Sequence, residues 1–196
     1  MQIVQADIVA LPVDVIVNSA HPTLMAGSGV SGAIHNAAGP ELGKSTKLLG
    51  PHKPGQALTA EAFNLPAKYV IQAVAPRYLR GIDKEEQTLA STYQAIVKEF
   101  IQLKDVQSIY LPSIGAGIYR WPLELAASIA VRGLSSLLQA DVVICVFGDK
   151  ILHRHAIGTK SGLIQRSIRF ILLVYIKRRT CGIAMDDTIK QMGSYK

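Results

Sequence analysis

The strongest constraint on the fold is an alternation of short apolar runs with helical patterns along most of the chain. Segments 84–104 and 122–139 repeat apolar residues every three or four positions, as amphipathic helices do. The apolar runs are rich in valine and isoleucine, which is typical of strands covered on both faces; they are DVIVNSA (14–20), KYVIQAVA (68–75), VQSIYLP (106–112) and DVVICVFG (141–148), and QALTAEAF (56–63) is a further candidate strand. This order predicts an α/β sandwich with a mostly parallel sheet.

The distribution of charge divides the chain into two parts. Residues 1–150 contain twelve Lys/Arg and twelve Asp/Glu, whereas residues 151–196 contain nine Lys/Arg and two Asp, so the net charge of +7 belongs to the C-terminal part. We therefore predict one domain over residues 1–155 and a basic C-terminal extension over residues 156–196.

The basic extension admits several interpretations. Its segment RFILLVYIKRR (169–179) has seven successive apolar residues, far fewer than the roughly 20 needed to cross a bilayer. The extension could pack on the domain, rest on an anionic membrane surface, or contact nucleic acid through its Lys and Arg side chains.

Few residues suit a disulfide framework or a metal site. The cysteines are Cys145, in an apolar run, and Cys181, in the basic extension, and neither has metal-ligand spacing. His153 and His155 are close in sequence but lack further nearby ligands. The N-terminus has no basic leader followed by an apolar stretch, so we expect no secretion signal. We predict a cytoplasmic protein that holds neither a metal nor a cofactor.

Two glycine loops are the features that point to function. The segment GSGVSG (27–32) fits the Gly-x-Gly-x-x-Gly pattern, but HPTLMA separates it from the preceding strand, and no acidic residue lies about 20 positions beyond it. A nicotinamide site requires a glycine motif that directly follows a strand and an acidic residue about 20 positions beyond it. Backbone N–H groups at the start of a helix nevertheless bind phosphate in any ligand. A second loop, SIGAGIYRWP (113–122), also joins a strand to a helix, and the two loops together predict a diphosphate held from both sides.

With these two glycine loops in place, the sequence resembles the macrodomains, a family of ADP-ribose-binding modules. The resemblance is carried by ordered motifs, which are Ala6-Asp7-Ile8, Val15-Ile16-Val17-Asn18-Ser19-Ala20-His21, Gly27-Ser28-Gly29-Val30, Ala33-Ile34-His35-Asn36-Ala37-Ala38-Gly39-Pro40, Pro112-Ser113-Ile114-Gly115-Ala116-Gly117-Ile118-Tyr119, and the late strand that ends at Val146-Phe147. It covers residues 1 to about 155 and leaves the basic extension outside. The fold that the resemblance implies is a three-layer α/β/α sandwich with a central mixed, mostly parallel sheet.

The resemblance implies a role for each part of the site. Asp7 would accept a hydrogen bond from the adenine amino group, Phe147 would stack on the adenine, and Tyr119 would lie near the distal ribose. The glycine loops would hold the diphosphate. The ligand-binding residues implied in this way are Asp7, Ile8, Asn18, Gly27, Ser28, Gly29, Val30, Ser113, Gly115, Ala116, Gly117, Ile118, Tyr119 and Phe147.

Two positions depart from the hydrolytic members of the family. Where those members have an asparagine that contacts the distal ribose and an acidic residue that positions the attacking water, this sequence has His21 and Ser31. These two are the candidate catalytic residues: an imidazole can bond a ribose hydroxyl or act as a general base, whereas a serine hydroxyl orients water without negative charge. His35, one helical turn beyond Ser31, either shares that surface or packs in the core.

Three functions remain open at this stage. The first is hydrolysis of O-acetyl-ADP-ribose or of mono-ADP-ribosylated protein, and the second is recognition of free or attached ADP-ribose without turnover. The departures at His21 and Ser31 favour recognition with weak or absent catalysis. The third is binding of RNA or poly-ADP-ribose assisted by the basic extension.

Overall fold

The computed structural model describes residues 1–81, 84–137 and 139–146. Strands and helices follow one another singly or in pairs in this part of the chain. In order they are β1 (Gln2–Gln5), β2 (Val15–Ala20), α1 (Val30–Ala38), α2 (Pro40–Lys47), β3 (Gln56–Glu61), β4 (Tyr69–Val74), α3 (Glu85–Gln102), β5 (Ser108–Pro112), α4 (Leu123–Gly133) and β6 (Asp141–Val146).

The strands form one sheet in the order β1-β6-β5-β2-β4-β3. All neighbouring pairs are parallel except β3 and β4, which are antiparallel. The predicted mixed, mostly parallel sheet is therefore confirmed. Because β2, β5 and β6 run in the same direction, their carboxyl ends lie at one edge of the sheet.

Alternate side chains of the central strands enter two separate cores. On β2, Val15 and Val17 pack with side chains of α3 and α4, such as Leu89 and Ile129, on one face of the sheet. Ile16 points to the other face and packs with Ile34 and Leu42, on α1 and α2. The near-continuous apolar character of these strands has its cause here, since both faces of the sheet are covered.

The carboxylate of Asp14 connects the segments at the amino ends of β2, β4 and β5. Its Oδ2 accepts hydrogen bonds from the backbone N–H of Gln107 and of Ser108, at 2.9 and 3.0 Å, and from Ser108 Oγ at 2.9 Å. Its Oδ1 lies 2.9 Å from Lys68 Nζ. These bonds, with that of the Gln107 N–H as the largest cause, hold the pKa of Asp14 well below its usual value.

The two predicted helices, over residues 84–104 and 122–139, are confirmed with one difference. Helix α3 lies within the predicted segment 84–104, whereas α4 ends at Gly133 instead of extending to residue 139. A Cβ on Gly133 would lie 2.5 Å from Tyr93 Cβ, so the glycine that interrupts the helical pattern also allows α4 to approach α3. Phe147 and the extension 156–196 lie outside the described residues. Within these ranges, no helix is long and apolar enough to span a membrane.

Candidate ligand-binding site

Two clefts open where β2, β5 and β6 end. The first cleft, of about 440 Å³, is lined by residues around Asp7 and by the end of β6. The second, of about 400 Å³, is lined by the loop between β2 and α1 and by the loop after β5. Both volumes are in the range of small-molecule sites, about 300–1,000 Å³. Residues that line both clefts mark their junction, and these are Gly29, Val30, Ser113 and Gly117.

The first glycine loop forms one wall of the junction and leads into α1. Gly29 is the N-cap residue of the helix with a φ of 63°, a conformation that glycine adopts without strain, and no side-chain hydrogen bond caps this helix end. A Cβ on Gly32 would lie 2.6 Å from the carbonyl oxygen of Gly27, so the loop folds closely onto the first turn. Uncapped N–H groups at such a helix start attract an anion.

The second glycine loop also lines the junction, and its glycines have different roles. Gly115 has a φ of 86°, and a Cβ there would lie 2.5 Å from Trp121 Cδ1. Trp121 is buried and donates from Nε1 to the carbonyl oxygen of Pro76 at 2.9 Å. Gly117 would place a Cβ in open space. Gly115 therefore shapes the loop, whereas Gly117 keeps the backbone accessible at the junction.

Asp7 lines the first cleft and is partly engaged by its own turn. Its Oδ1 accepts the backbone N–H of Val9 at 3.2 Å, and no bond to Oδ2 is found among the residues described. The cleft wall beside it is apolar, with Ile8 and Cys145 both buried. Burial, together with the charge of Asp7, raises the pKa of Cys145 to about 12, which keeps the thiol neutral. This cleft thus combines an apolar wall with one acceptor carboxylate.

Asn18 lies beneath the second cleft, not on its surface. Its side chain is fully buried, and Nδ2 donates to Gln72 Oε1 at 2.8 Å and to Ser31 Oγ at 3.4 Å. Ser31, which is 5% exposed, lines the cleft. Because its oxygen accepts from Asn18, its own O–H can be directed at a group in the cleft.

His21, the other candidate catalytic residue, also lines the second cleft and is exposed. Its Nδ1 lies 2.8 Å from Thr23 Oγ1. Tyr119 lines the same cleft, and the guanidinium carbon of Arg77 lies 5.7 Å from the centre of its ring. Among the described lining residues of this cleft there is no Asp or Glu.

His35 packs in the core, one of the two interpretations left open by the sequence. It is 6% exposed, it lines neither cleft as described, and burial lowers its pKa, which favours the neutral imidazole. The described ranges contain no group of three or more His, Cys, Asp or Glu side chains that could hold a metal ion.

Most of the predicted ligand-binding residues therefore surround one pair of clefts. The exceptions are Asn18, which supports Ser31 from below, and Phe147, which lies outside the described part of the chain. Sequence reasoning missed Thr23, Gln72 and Arg77. Gln72 had a signal, since it is the polar residue in the apolar run KYVIQAVA, but its partner across the sheet follows only from strand pairing.

The fold and the clefts define an α/β domain with two glycine loops that meet at the carboxyl edge of a mostly parallel sheet. The family model described as "Macro domain" matches residues 17–130. The chain belongs to the macrodomain family, as the sequence motifs indicated.

Curated relatives and solved structures agree with this assignment. An O-acetyl-ADP-ribose deacetylase of Cronobacter turicensis is 42% identical over 142 residues, which are 70% of this chain and 80% of that protein. A macro domain-containing protein of Chlorobaculum tepidum is 40% identical over 154 residues, 76% of this chain and 89% of the relative.

Two solved macrodomains were determined with nucleotides. The Oceanobacillus iheyensis macrodomain with ADP has a TM-score of 0.74 and 29% identity, and the match covers 87% of this chain and 90% of that one. The Trypanosoma brucei macrodomain in complex with ADP-ribose has a TM-score of 0.71 and 25% identity, covering 78% and 66% of the two chains.

Proposed function

We propose that this chain binds ADP-ribose across its two clefts. The observation that carries the proposal is the junction, where two glycine loops with accessible backbone meet between an acidic, apolar cleft and a cleft lined by hydroxyl and imidazole groups. A molecule with an adenine at one end, a diphosphate in the middle and a ribose at the other end matches this order.

Each part of ADP-ribose has a partner in this arrangement. The adenine enters the first cleft, where its amino group donates to Asp7 Oδ2 and its ring lies on the apolar wall at Ile8. The diphosphate occupies the junction beside Gly29 and Gly117. The distal ribose extends into the second cleft towards His21, and the ligand is free ADP-ribose, O-acetyl-ADP-ribose or ADP-ribose attached to a protein.

Recognition with little turnover is the activity that this geometry favours. The second cleft, in its described lining, offers no carboxylate to orient or deprotonate water. Ser31 can bond a water molecule but cannot provide the negative charge, so the ligand's own phosphate would have to activate it.

Hydrolysis is the second candidate function, favoured by the 42% identity to a protein named O-acetyl-ADP-ribose deacetylase.

The experiment that separates recognition from hydrolysis combines calorimetric titration of the full chain with ADP-ribose and a turnover assay with O-acetyl-ADP-ribose and a mono-ADP-ribosylated protein. We expect binding with slow turnover in the wild type. If water positioning is limiting, Ser31→Asp combined with His21→Asn raises turnover by about 10²-fold or more. Fast wild-type turnover that falls in the double variant would identify the protein as a hydrolase with its own catalytic solution.

The role of the basic extension and the location of the protein in the cell are two further predictions. If residues 156–196 bind RNA or poly-ADP-ribose, the affinity for these polymers falls steeply with salt and is lost when the extension is deleted. The same deletion tested on vesicles of anionic lipid separates a membrane-surface role. We expect the protein in the cytoplasm, which imaging of a tagged full-length chain can test.

A further inference from the structure

A single residue, Thr23, holds the imidazole of His21 through two groups. The backbone N–H of Thr23 donates to His21 Nδ1 over 3.2 Å, and Thr23 Oγ1 lies 2.8 Å from the same nitrogen. A backbone N–H can only donate, so Nδ1 must provide its lone pair. The hydroxyl, which can donate or accept, is compatible with that role by donating. A neutral imidazole then carries its one proton on Nε2.

The turn that carries His21 is fixed to the core, so the ring is presented from a defined position. The backbone N–H of Leu24 closes the turn onto the carbonyl oxygen of His21 at 2.8 Å, and the N–H of His52 donates to the carbonyl oxygen of Pro22 at 2.8 Å. Leu24 is fully buried, and its carbonyl oxygen accepts from Thr46 Oγ1 at 3.1 Å. The exposed ring thus extends from a backbone held at three points.

We propose that Thr23 is a positioning residue that fixes His21 in the Nε2–H form, and that this N–H donates to an oxygen in the distal half of ADP-ribose. The inference rests on the proposed function. The surroundings agree with a donor, since the second cleft has no acidic side chain in its described lining and the ligand brings hydroxyl and phosphate oxygens.

The same arrangement excludes His21 as the general base of the bound state. Nε2 holds a proton and has no free lone pair, and the Nδ1 lone pair is engaged by Thr23. An asparagine at this position would fill both roles, with Oδ1 accepting from the N–H two residues on and Nδ2 donating to the ligand. His21→Asn therefore keeps the donor that the proposal requires.

The first test measures the tautomer directly in the full chain without ligand. Long-range ¹H–¹⁵N spectra of imidazole-labelled protein at pH 8 are compared for wild type and His21→Asn, which assigns the His21 signals among those of the five histidines. We expect a protonated Nε2 and an unprotonated Nδ1. Addition of ADP-ribose should shift Nε2 more than Nδ1. A proton on Nδ1, or a shift confined to Nδ1, overturns the proposal.

The second test uses Thr23→Val, which removes the hydroxyl at nearly constant shape, and Thr23→Ser, which keeps it. Thr23→Val leaves Nδ1 with only the longer bond from the backbone N–H, at 3.2 Å. It should therefore increase the Nδ1–H fraction of His21 and weaken ADP-ribose binding by about fivefold, the value of one modest hydrogen bond. Thr23→Ser should keep both properties at their wild-type values. In a His21→Ala background, Thr23→Val should have no effect. An equal loss in both backgrounds means that Thr23 acts without His21 and rejects the proposal. Absence of ADP-ribose binding in the wild type instead rejects the proposed function, because the spectrum of the free protein reports the Thr23–His21 link by itself.

Discussion

Asn18 on β2 donates through Nδ2 to Oε1 of Gln72, its partner residue on β4, over 2.8 Å, and both side chains are fully buried. The same Nδ2 reaches Ser31 Oγ at the start of α1. The pair therefore connects the hydrogen-bonded centre of the sheet with the floor of the second cleft.

Removal of the Asn18 amide should destabilise the fold. In Asn18→Ala the buried amide of Gln72 loses its partner, and we expect the free energy of unfolding to fall by about 1–3 kcal/mol in urea titrations. Asn36→Ala, the same change at an exposed position of α1, should stay within about 0.5 kcal/mol of wild type. Equal stability of the two variants would show that the buried pair contributes nothing.

Asp7→Ala should weaken ADP-ribose binding without unfolding the protein. Loss of a hydrogen bond to a carboxylate costs about 1.5–3 kcal/mol, measured by calorimetric titration. Asp141→Ala is the control, because Asp141 is also exposed but lies at the opposite, amino end of β6. Unchanged affinity in the Asp7 variant removes Asp7 from the site.

The two glycines of the second loop should respond differently to substitution. Gly117→Val places a side chain in open space at the junction, so we expect a folded protein with ADP-ribose affinity reduced about tenfold or more through lost phosphate contacts. Gly115→Ala must clash with Trp121 at a positive φ and should destabilise the fold by about 1–3 kcal/mol. Thermal melts and titrations of both variants check this. Normal binding by folded Gly117→Val contradicts the diphosphate position.

The lowered pKa of Asp14 predicts how the stability of the fold changes in acid. The hydrogen bond from the Gln107 N–H is the largest cause that lowers the pKa of Asp14 in the folded state. Asp14 therefore stabilises the fold fully at pH values above its unfolded-state pKa of about 3.9. This stabilisation is lost as the pH falls through the folded-state pKa. Asp14→Asn should reduce the free energy of unfolding by about 2 kcal/mol at pH 7, with a difference from wild type that shrinks in acid. Asp141→Asn, which removes an exposed carboxylate at the start of β6, is the control for the change of surface charge. A pH-independent difference would mean that packing, not ionisation, is responsible.

Deletion of residues 156–196 should leave ADP-ribose affinity unchanged. Asp7, Gly29, Gly117 and Phe147 all precede this point, and most of the net positive charge lies after it. Calorimetric titration of the full and shortened chains makes the comparison. Lost binding in a shortened chain that remains folded would show that the extension completes the site.

The amino-acid sequence specified the order of most elements because their patterns are local. The run around Val15–Val17 reads as a strand buried on two faces, and that is how β2 lies in the sheet. The glycines at 29 and 117 could be recognised from their place between a strand and a helix. The strand β1 (Gln2–Gln5) was not predicted, because its terminal glutamines limit the apolar run to two residues and its pairing with β6 spans nearly the whole described chain.

The roles of the polar site residues required the tertiary structure. Asn18 was predicted to contact the ligand, but its place in the floor depends on Gln72, which is opposite only once β2 and β4 pair. Gly115 resembles Gly117 in sequence, and only the packing of Trp121 separates their functions. The sequence thus determined the fold class and the loops, since periodicity and turn chemistry act over a few residues. Tertiary structure decided which side chains face the clefts, because hydrogen-bond partners and burial come from segments far apart along the chain.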